Sequence, residues 1–188
     1  NWAFLLDAAK KCSQQHPSLR VVLLGDCPDT KNLEMYAEKL GIANRVEFLG
    51  DIPFVKVPAY LQAADFFGFA STSETQGLVT LEALAASLPV VAVDAPGTRD
   101  IMENGGQGYL VKEDADAFAQ AVDDLLSQPE RQAQFKQAAI QRAEQFEIHK
   151  MAAKLLDVYT QAKEDKQAKR FVQVRADKGK PSILKKRS

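Results

Sequence analysis

Few residues in this chain can do metal or thiol chemistry. Its 188 residues include two cysteines, Cys12 and Cys27, and two histidines, His16 and His149. Neither cysteine belongs to a C-x-x-C pair, and no His/Cys cluster has metal-ligand spacing, so no metal site and no disulfide framework are expected. Free thiols in a reducing, cytoplasmic compartment are the simplest expectation. His16 precedes Pro17 at a helix end and His149 opens an amphipathic helix, so both read as structural. No Ser-His-Asp or Cys-His arrangement is present. Long apolar runs are also missing. The most apolar stretch, 78–93, is interrupted by Thr80, Glu82, Ser87 and Pro89 and cannot span a bilayer. No signal peptide is expected at the start. The turn Leu23-Leu24-Gly25-Asp26 is not G-x-G-x-x-G, which argues against a nicotinamide cofactor, and no cofactor is expected.

Charge of either sign is nearly absent in sum but not in distribution. The total is −1, yet residues 163–188 carry ten Lys/Arg against three Asp/Glu, which leaves −8 on residues 1–162. The expected organisation is one domain over 1–165 and a basic, flexible tail over 166–188. The tail's default role is a solvated end. Attraction to an anionic membrane surface is a second role, and nucleic acid is not an expected partner because no aromatics are interleaved for stacking. The chain opens on Asn1 inside a helical pattern and is expected to be a piece of a longer protein.

What remains is an alternation of helices and short apolar strands. Helices are expected at 2–15, 32–40, 57–64, 77–87, 99–103, 115–126, 130–146 and 150–162. Strands are expected at 19–24, 46–49, 66–70, 90–93 and 109–111. The strands are continuous apolar runs, as when both faces are covered, so the expected fold is α/β, a Rossmann-like parallel sheet with helices on both faces. Ligands of such sheets bind beyond the carboxyl ends of the strands. That edge consists of residues 25–26, 50–52, 71–77 and 94–97. Asp94 and Asp100 are expected to cap turns and the short helix.

The segment 66–93 carries the most chemistry. A strand leads through a polar loop into a helix starting near Gly77, whose first N–H groups, those of Gly77, Leu78 and Val79, lack intrahelical partners and favour an anion. Gly77 allows close approach to the backbone. Glu82 lies one turn deeper on the face of Leu78 and Val79, roughly 6 Å along the axis, about the span from a nucleotide's phosphates to its ribose hydroxyls. Glu74 lies on the other side of the anion site. The order suits ribose, diphosphate and sugar. Local physics leaves an alternative open, in which Glu74 completes a capping box with Ser71 and Glu82 pairs with a distant Arg.

The segment Glu74-Thr75-Gln76-Gly77-Leu78-Val79-Thr80-Leu81-Glu82, followed by an Ala-rich helix and Pro89-Val90-Val91, resembles the signature of family 4 retaining glycosyltransferases and their GT-B relatives. The likeness extends through 23–26, 48–52, 58–65, 95–102 and 108–111. It implies the C-terminal, donor-binding half of a GT-B fold, a UDP-sugar donor and a metal-independent site. An N-terminal acceptor domain of the same protein is implied as the missing partner. Carried over residue by residue, Glu74 would be the catalytic residue touching the hexose. Glu82 would hold the ribose, the Gly77, Leu78 and Val79 N–H groups the phosphate and sugar oxygens, backbone near Ile52 the base, and Gly25 the nucleotide cleft, with Gln76 in the donor-binding loop. The resemblance also implies an Arg and a Lys shortly ahead of Asn1 to hold the diphosphate.

The sequence departs from the family at three places. Thr75-Gln76 replace the usual Gly-Phe, and the resulting Glu-Thr-Gln-Gly resembles the branch that glucosylates diacylglycerol in bacterial membranes, which implies UDP-glucose. Cys27 stands where a second glycine of the nucleotide turn is usual. Ser87 replaces the usual glycine ahead of Leu88-Pro89. A non-catalytic α/β partner-binding module and a sugar-nucleotide epimerase of the same architecture are the alternatives.

Overall fold

The computed structural model describes residues 1–167. The chain divides into two units, Asn1–Glu144 and Gln145–Ser188. The first unit runs α1 (Trp2–Gln15), β1 (Val21–Leu23), α2 (Thr30–Leu40), β2 (Val46–Phe48), α3 (Val57–Ala63), β3 (Phe67–Phe69), α4 (Leu78–Ala85), β4 (Val90–Val93), α5 (Pro96–Ile101), β5 (Gly108–Val111), α6 (Ala115–Leu126) and α7 (Pro129–Ala143).

Backbone chemistry fixes where these elements stop. His16 leaves α1 at φ −118°, ψ 80°, because Pro17 bars its predecessor from helical geometry, and its N–H returns to the Cys12 carbonyl. Gly41 closes α2 in the left-handed region at φ 70°. Asp114 caps α6 by accepting from the Ala117 N–H at 2.8 Å. After α4 the chain needs a left-handed residue, and Ser87 supplies it at φ 64°. The seryl Oγ also donates to the Lys136 carbonyl at 3.0 Å, which ties this turn to α7.

Every ladder is parallel, as expected, but the strands form two sheets rather than one. One is β1–β2, with Val21 opposite Val46, and the other is β3–β4–β5, with Val91 between Gly68 and Tyr109. Helix α1 joins them. Its Leu6 and Ala9 enter the core of Leu23, Leu33, Ala37 and Ile42, while its Ala8 and Cys12 enter the core of Val91, Phe118, Val122 and Leu125. A helix with so wide an apolar face can close two sheets at once without a ladder between them. Strand β4 is buried at all four residues, and burying each valine side chain contributes about 1.5–3 kcal/mol. Helix α4 packs on β3 and β4 and is backed by α7. These contacts fix the position of the helix whose start faces the strand ends.

In the second unit, α8 (Ile148–Gln167) runs beyond both the expected helix end at 162 and the expected domain boundary at 165. The rest of the basic tail lies outside the described residues. Ile148, Met151, Leu155, Leu156, Val158 and Tyr159 are exposed along α8. Among the described residues, no helix is long and apolar enough to cross a membrane.

Candidate functional site

The loop from β3 to α4 is organised by Glu74. Its Oε1 accepts three consecutive backbone N–H groups, from Thr75 at 3.0 Å, Gln76 at 2.8 Å and Gly77 at 2.9 Å. These bonds, those of Gln76 and Gly77 foremost, hold its carboxyl below the usual carboxylate range. Glu74 therefore caps the approach to α4, but through the residues that follow it rather than through a box with Ser71. The Gly77 N–H, expected to be open to an anion, is engaged by this carboxylate. Helix geometry still leaves the Leu78 and Val79 N–H groups without intrahelical partners. Leu78 and Val79 are 55% and 39% exposed, so the start of α4 opens to solvent.

Two glycines let the loop sit where it does. Gly77 precedes α4 at φ 67°, and a Cβ there would lie 2.5 Å from both the Gly97 carbonyl oxygen and Ile101 Cγ1. A Cβ on Gly97 would in turn lie 2.5 Å from the Glu74 carbonyl oxygen, to which the Gly97 N–H donates at 3.2 Å. Gly97 lies in the segment 95–102 that shares the family likeness, but nothing in that segment points to a contact with Glu74. Its placement against Glu74 follows from the packing of α4 on α5.

Glu82 is half-buried in α4, one turn below Leu78. Among the described residues its carboxylate has no hydrogen-bond or ion-pair partner, so the distant Arg of the structural alternative is not there. A half-buried carboxylate without a partner carries a desolvation cost that a pair of hydroxyl donors would remove. Asp94 does not cap α5; it accepts from Arg99 Nε at 2.5 Å. The Arg99 guanidinium near the loop is thus already paired.

The remaining candidates fall at the ends of the other sheet. Gly25 and Gly50 meet there in an isolated antiparallel bridge and line an open cleft of about 650 Å³. Trp2 and Phe48 wall it with rings 6.4 Å apart, Asp26, Lys31 and Glu34 give it charge, and Cys27 contributes its thiol. Ile52 does not line this cleft. Trp2 was not expected here, although a lone tryptophan on the first turn of a helix bordering strand ends is a sequence signal of such a wall. The structure thus separates the candidates into a loop group (Glu74, Gln76, Gly77, Leu78, Val79, Glu82) and a cleft group (Gly25, Trp2, Cys27). No group of three or more His, Cys, Asp or Glu side chains among the described residues could hold a metal ion.

The family model for glycosyl transferases group 1 matches residues 1–142. A D-inositol 3-phosphate glycosyltransferase of Corynebacterium urealyticum is 34% identical over 163 residues, covering 82% of this chain and 38% of that protein. Alpha-monoglucosyldiacylglycerol synthase of Streptococcus pneumoniae is 34% identical over 117 residues, 62% of this chain and 26% of that protein. The chain spans about a third to two fifths of the length of the first curated relatives it matches. Among solved structures, Anabaena Alr3699/HepE in complex with UDP is similar with a TM-score of 0.72 and 27% identity, over 82% of this chain and 44% of that one. The C-terminal domain of the group 1 family protein LpcC from Francisella tularensis matches with a TM-score of 0.69 and 26% identity, over 76% of each chain.

Proposed function

The chain belongs to the glycosyl transferases group 1 family, and from that premise we propose that it is the donor-binding domain of a retaining transferase. It takes a hexose, glucose by preference, from a UDP-sugar. The observation that carries this proposal is Glu82, a half-buried carboxylate one turn inside a helix whose N-terminus faces the strand ends, with no partner among the described residues. A ribose supplies two hydroxyl donors to such a group, and the diphosphate lies toward the Leu78 and Val79 N–H groups. Glu74, ionised and aimed by its own backbone bonds, accepts from the hexose. The base lies toward the cleft of Gly25, Trp2 and Cys27, whose aromatic wall suits a flat ring.

Catalysis on this assignment is chiefly electrostatic: preorganised donors stabilise the charge that gathers on the leaving diphosphate. Arg99 is held by Asp94, so the countercharge falls to the Arg and Lys expected ahead of Asn1. A glycerolipid acceptor is supported by the Glu74-Thr75-Gln76-Gly77 sequence and by the similarity to the pneumococcal diacylglycerol-glycoside synthase. The basic segment 166–188 would then add affinity for anionic lipid, at about 1 kcal/mol per basic residue near the surface. Calorimetry with UDP tests the core of the proposal. Glu82→Ala should weaken UDP binding by about 2–4 kcal/mol. Unchanged affinity in a folded variant rules out the ribose role.

A further inference from the structure

We propose that Gly97 is the positioning residue of Glu74: the bare α-carbon of Gly97 seats the 74–77 loop and so aims the Glu74 carboxylate at the donor's hexose. The inference rests on the proposed hexose role of Glu74, and it concerns a residue that itself touches no donor.

The geometry is direct. Gly97 lies buried in the first turn of α5. A Cβ there would stand 2.5 Å from the Glu74 carbonyl oxygen, 2.7 Å from its carbonyl carbon and 3.0 Å from its Cγ. Two of these three are backbone atoms, which no rotamer change can move aside. Gly97 has helical rather than left-handed geometry, so it is required here for space alone. Gly77 differs, because its φ of 67° makes glycine favourable whatever surrounds it. Gly97 is therefore the clean steric probe of the pair.

The consequence passes through the carboxylate. With a methyl group at 97, the Glu74 backbone would have to retreat by roughly 1 Å to regain ordinary van der Waals contact. The Gly97 N–H bond to the Glu74 carbonyl, already 3.2 Å long, would break. The three bonds into Oε1, at 2.8–3.0 Å, depend on the same turn geometry and would lengthen with it. Displacing a substrate-contacting group by about 1 Å can cost on the order of 100-fold in rate. A general loss of stability would leave the donor's uridine part and its sugar part affected alike, whereas mis-aiming Glu74 affects only the sugar.

The 188-residue chain carrying Gly97→Ala provides the test, with Gly68→Ala as a packing control, since a Cβ at Gly68 meets Phe118 at an ordinary 3.6 Å. Carbon-13 carboxyl NMR follows the titration of Glu74, and calorimetry measures UDP and UDP-glucose separately. Expected in Gly97→Ala are a Glu74 titration that moves up toward the ordinary glutamate range and a loss of about tenfold or more in UDP-glucose affinity, with UDP affinity retained. Gly68→Ala should show neither. An unmoved Glu74 titration in folded Gly97→Ala overturns the proposal whatever the donor does. A raised titration with the UDP-glucose to UDP ratio unchanged overturns the hexose role of Glu74 and leaves only the steric seating.

If Gly97→Ala does not fold, the unsubstituted chain still decides. The Gly97 amide resonance should move with those of Thr75, Gln76 and Gly77 as Glu74 protonates, and this movement should vanish in Glu74→Gln. A Gly97 amide indifferent to Glu74 protonation overturns the proposal.

Discussion

The loop ahead of α4 and the cleft at the ends of β1 and β2 occupy equivalent edges of two parallel sheets, yet they are built in opposite ways. In the loop, the backbone is packed to the limit of glycine contacts, and its N–H groups are satisfied by one carboxylate. In the cleft, side chains form an open wall of rings, charges and a thiol around about 650 Å³. On the proposed assignment, the difference matches what each would recognise. Sugar hydroxyls and phosphate oxygens need groups fixed in direction, which a tightly packed backbone supplies. A flat base needs a surface, and side chains supply it.

The largest effect that can break this comparison is in the thiols. Burial pushes the Cys12 thiol up to about 11, because the apolar core between α1 and α6 disfavours its charge. At pH 8 that leaves about one part in a thousand as thiolate, so Cys12 should resist alkylation in the folded chain. Cys27 lines the cleft and should react first, and saturating UDP should slow its modification severalfold. Reaction at Cys27 indifferent to UDP would show that the nucleotide does not lie against the cleft.

Next in size is the separation of donor parts. Glu74→Ala should cost about 10–100-fold in UDP-glucose affinity and leave UDP nearly unchanged, since one charge-assisted hydrogen bond is lost. Equal losses for both ligands would erase the division between loop and cleft.

A smaller effect concerns acid stability. The folded chain holds Glu74 below the glutamate value of 4.5 that applies in the unfolded state. Its contribution is thus present above pH 4.5 and is lost as the pH falls through the folded value. Urea midpoints measured on both sides of pH 4.5 should fall more steeply for the native chain than for Glu74→Gln. Parallel curves would mean that the three N–H bonds do not favour the ionised form.

The smallest is at Ser87. Replacement by glycine relieves a left-handed side chain but loses the bond to the Lys136 carbonyl, whereas replacement by alanine loses the bond and keeps the strain. Ser87→Gly should therefore be about 1 kcal/mol more stable than Ser87→Ala in thermal or denaturant unfolding. Equal stabilities would locate the cost elsewhere than in φ.

Periodicity and turn residues were sufficient for the element order, because helix and strand patterns are local. Stretches of 14 and 12 residues, 2–15 and 115–126, carry three or more turns of signal, and the structure returns α1 and α6 over those same residues. Ends without a strong stop signal, such as that of α8, were misplaced. The two glutamates eight residues apart and the glycine between them were legible as a constellation because all lie in one loop and one helix. Partner choice was not. Whether Glu82 meets an arginine depends on the packing of α4 against its neighbours, whereas the Asp94 pair with Arg99 and the three N–H groups that Glu74 accepts are set by loop conformations that carry no periodic pattern. The sequence alone determined the alternation of helices with parallel strands, since that follows from short-range patterns. Only the tertiary structure decided the split into two sheets joined by α1 and the need for glycine at 97. Both are contacts between segments distant in sequence or in separate elements, and steric exclusion leaves no trace in the local pattern of either one.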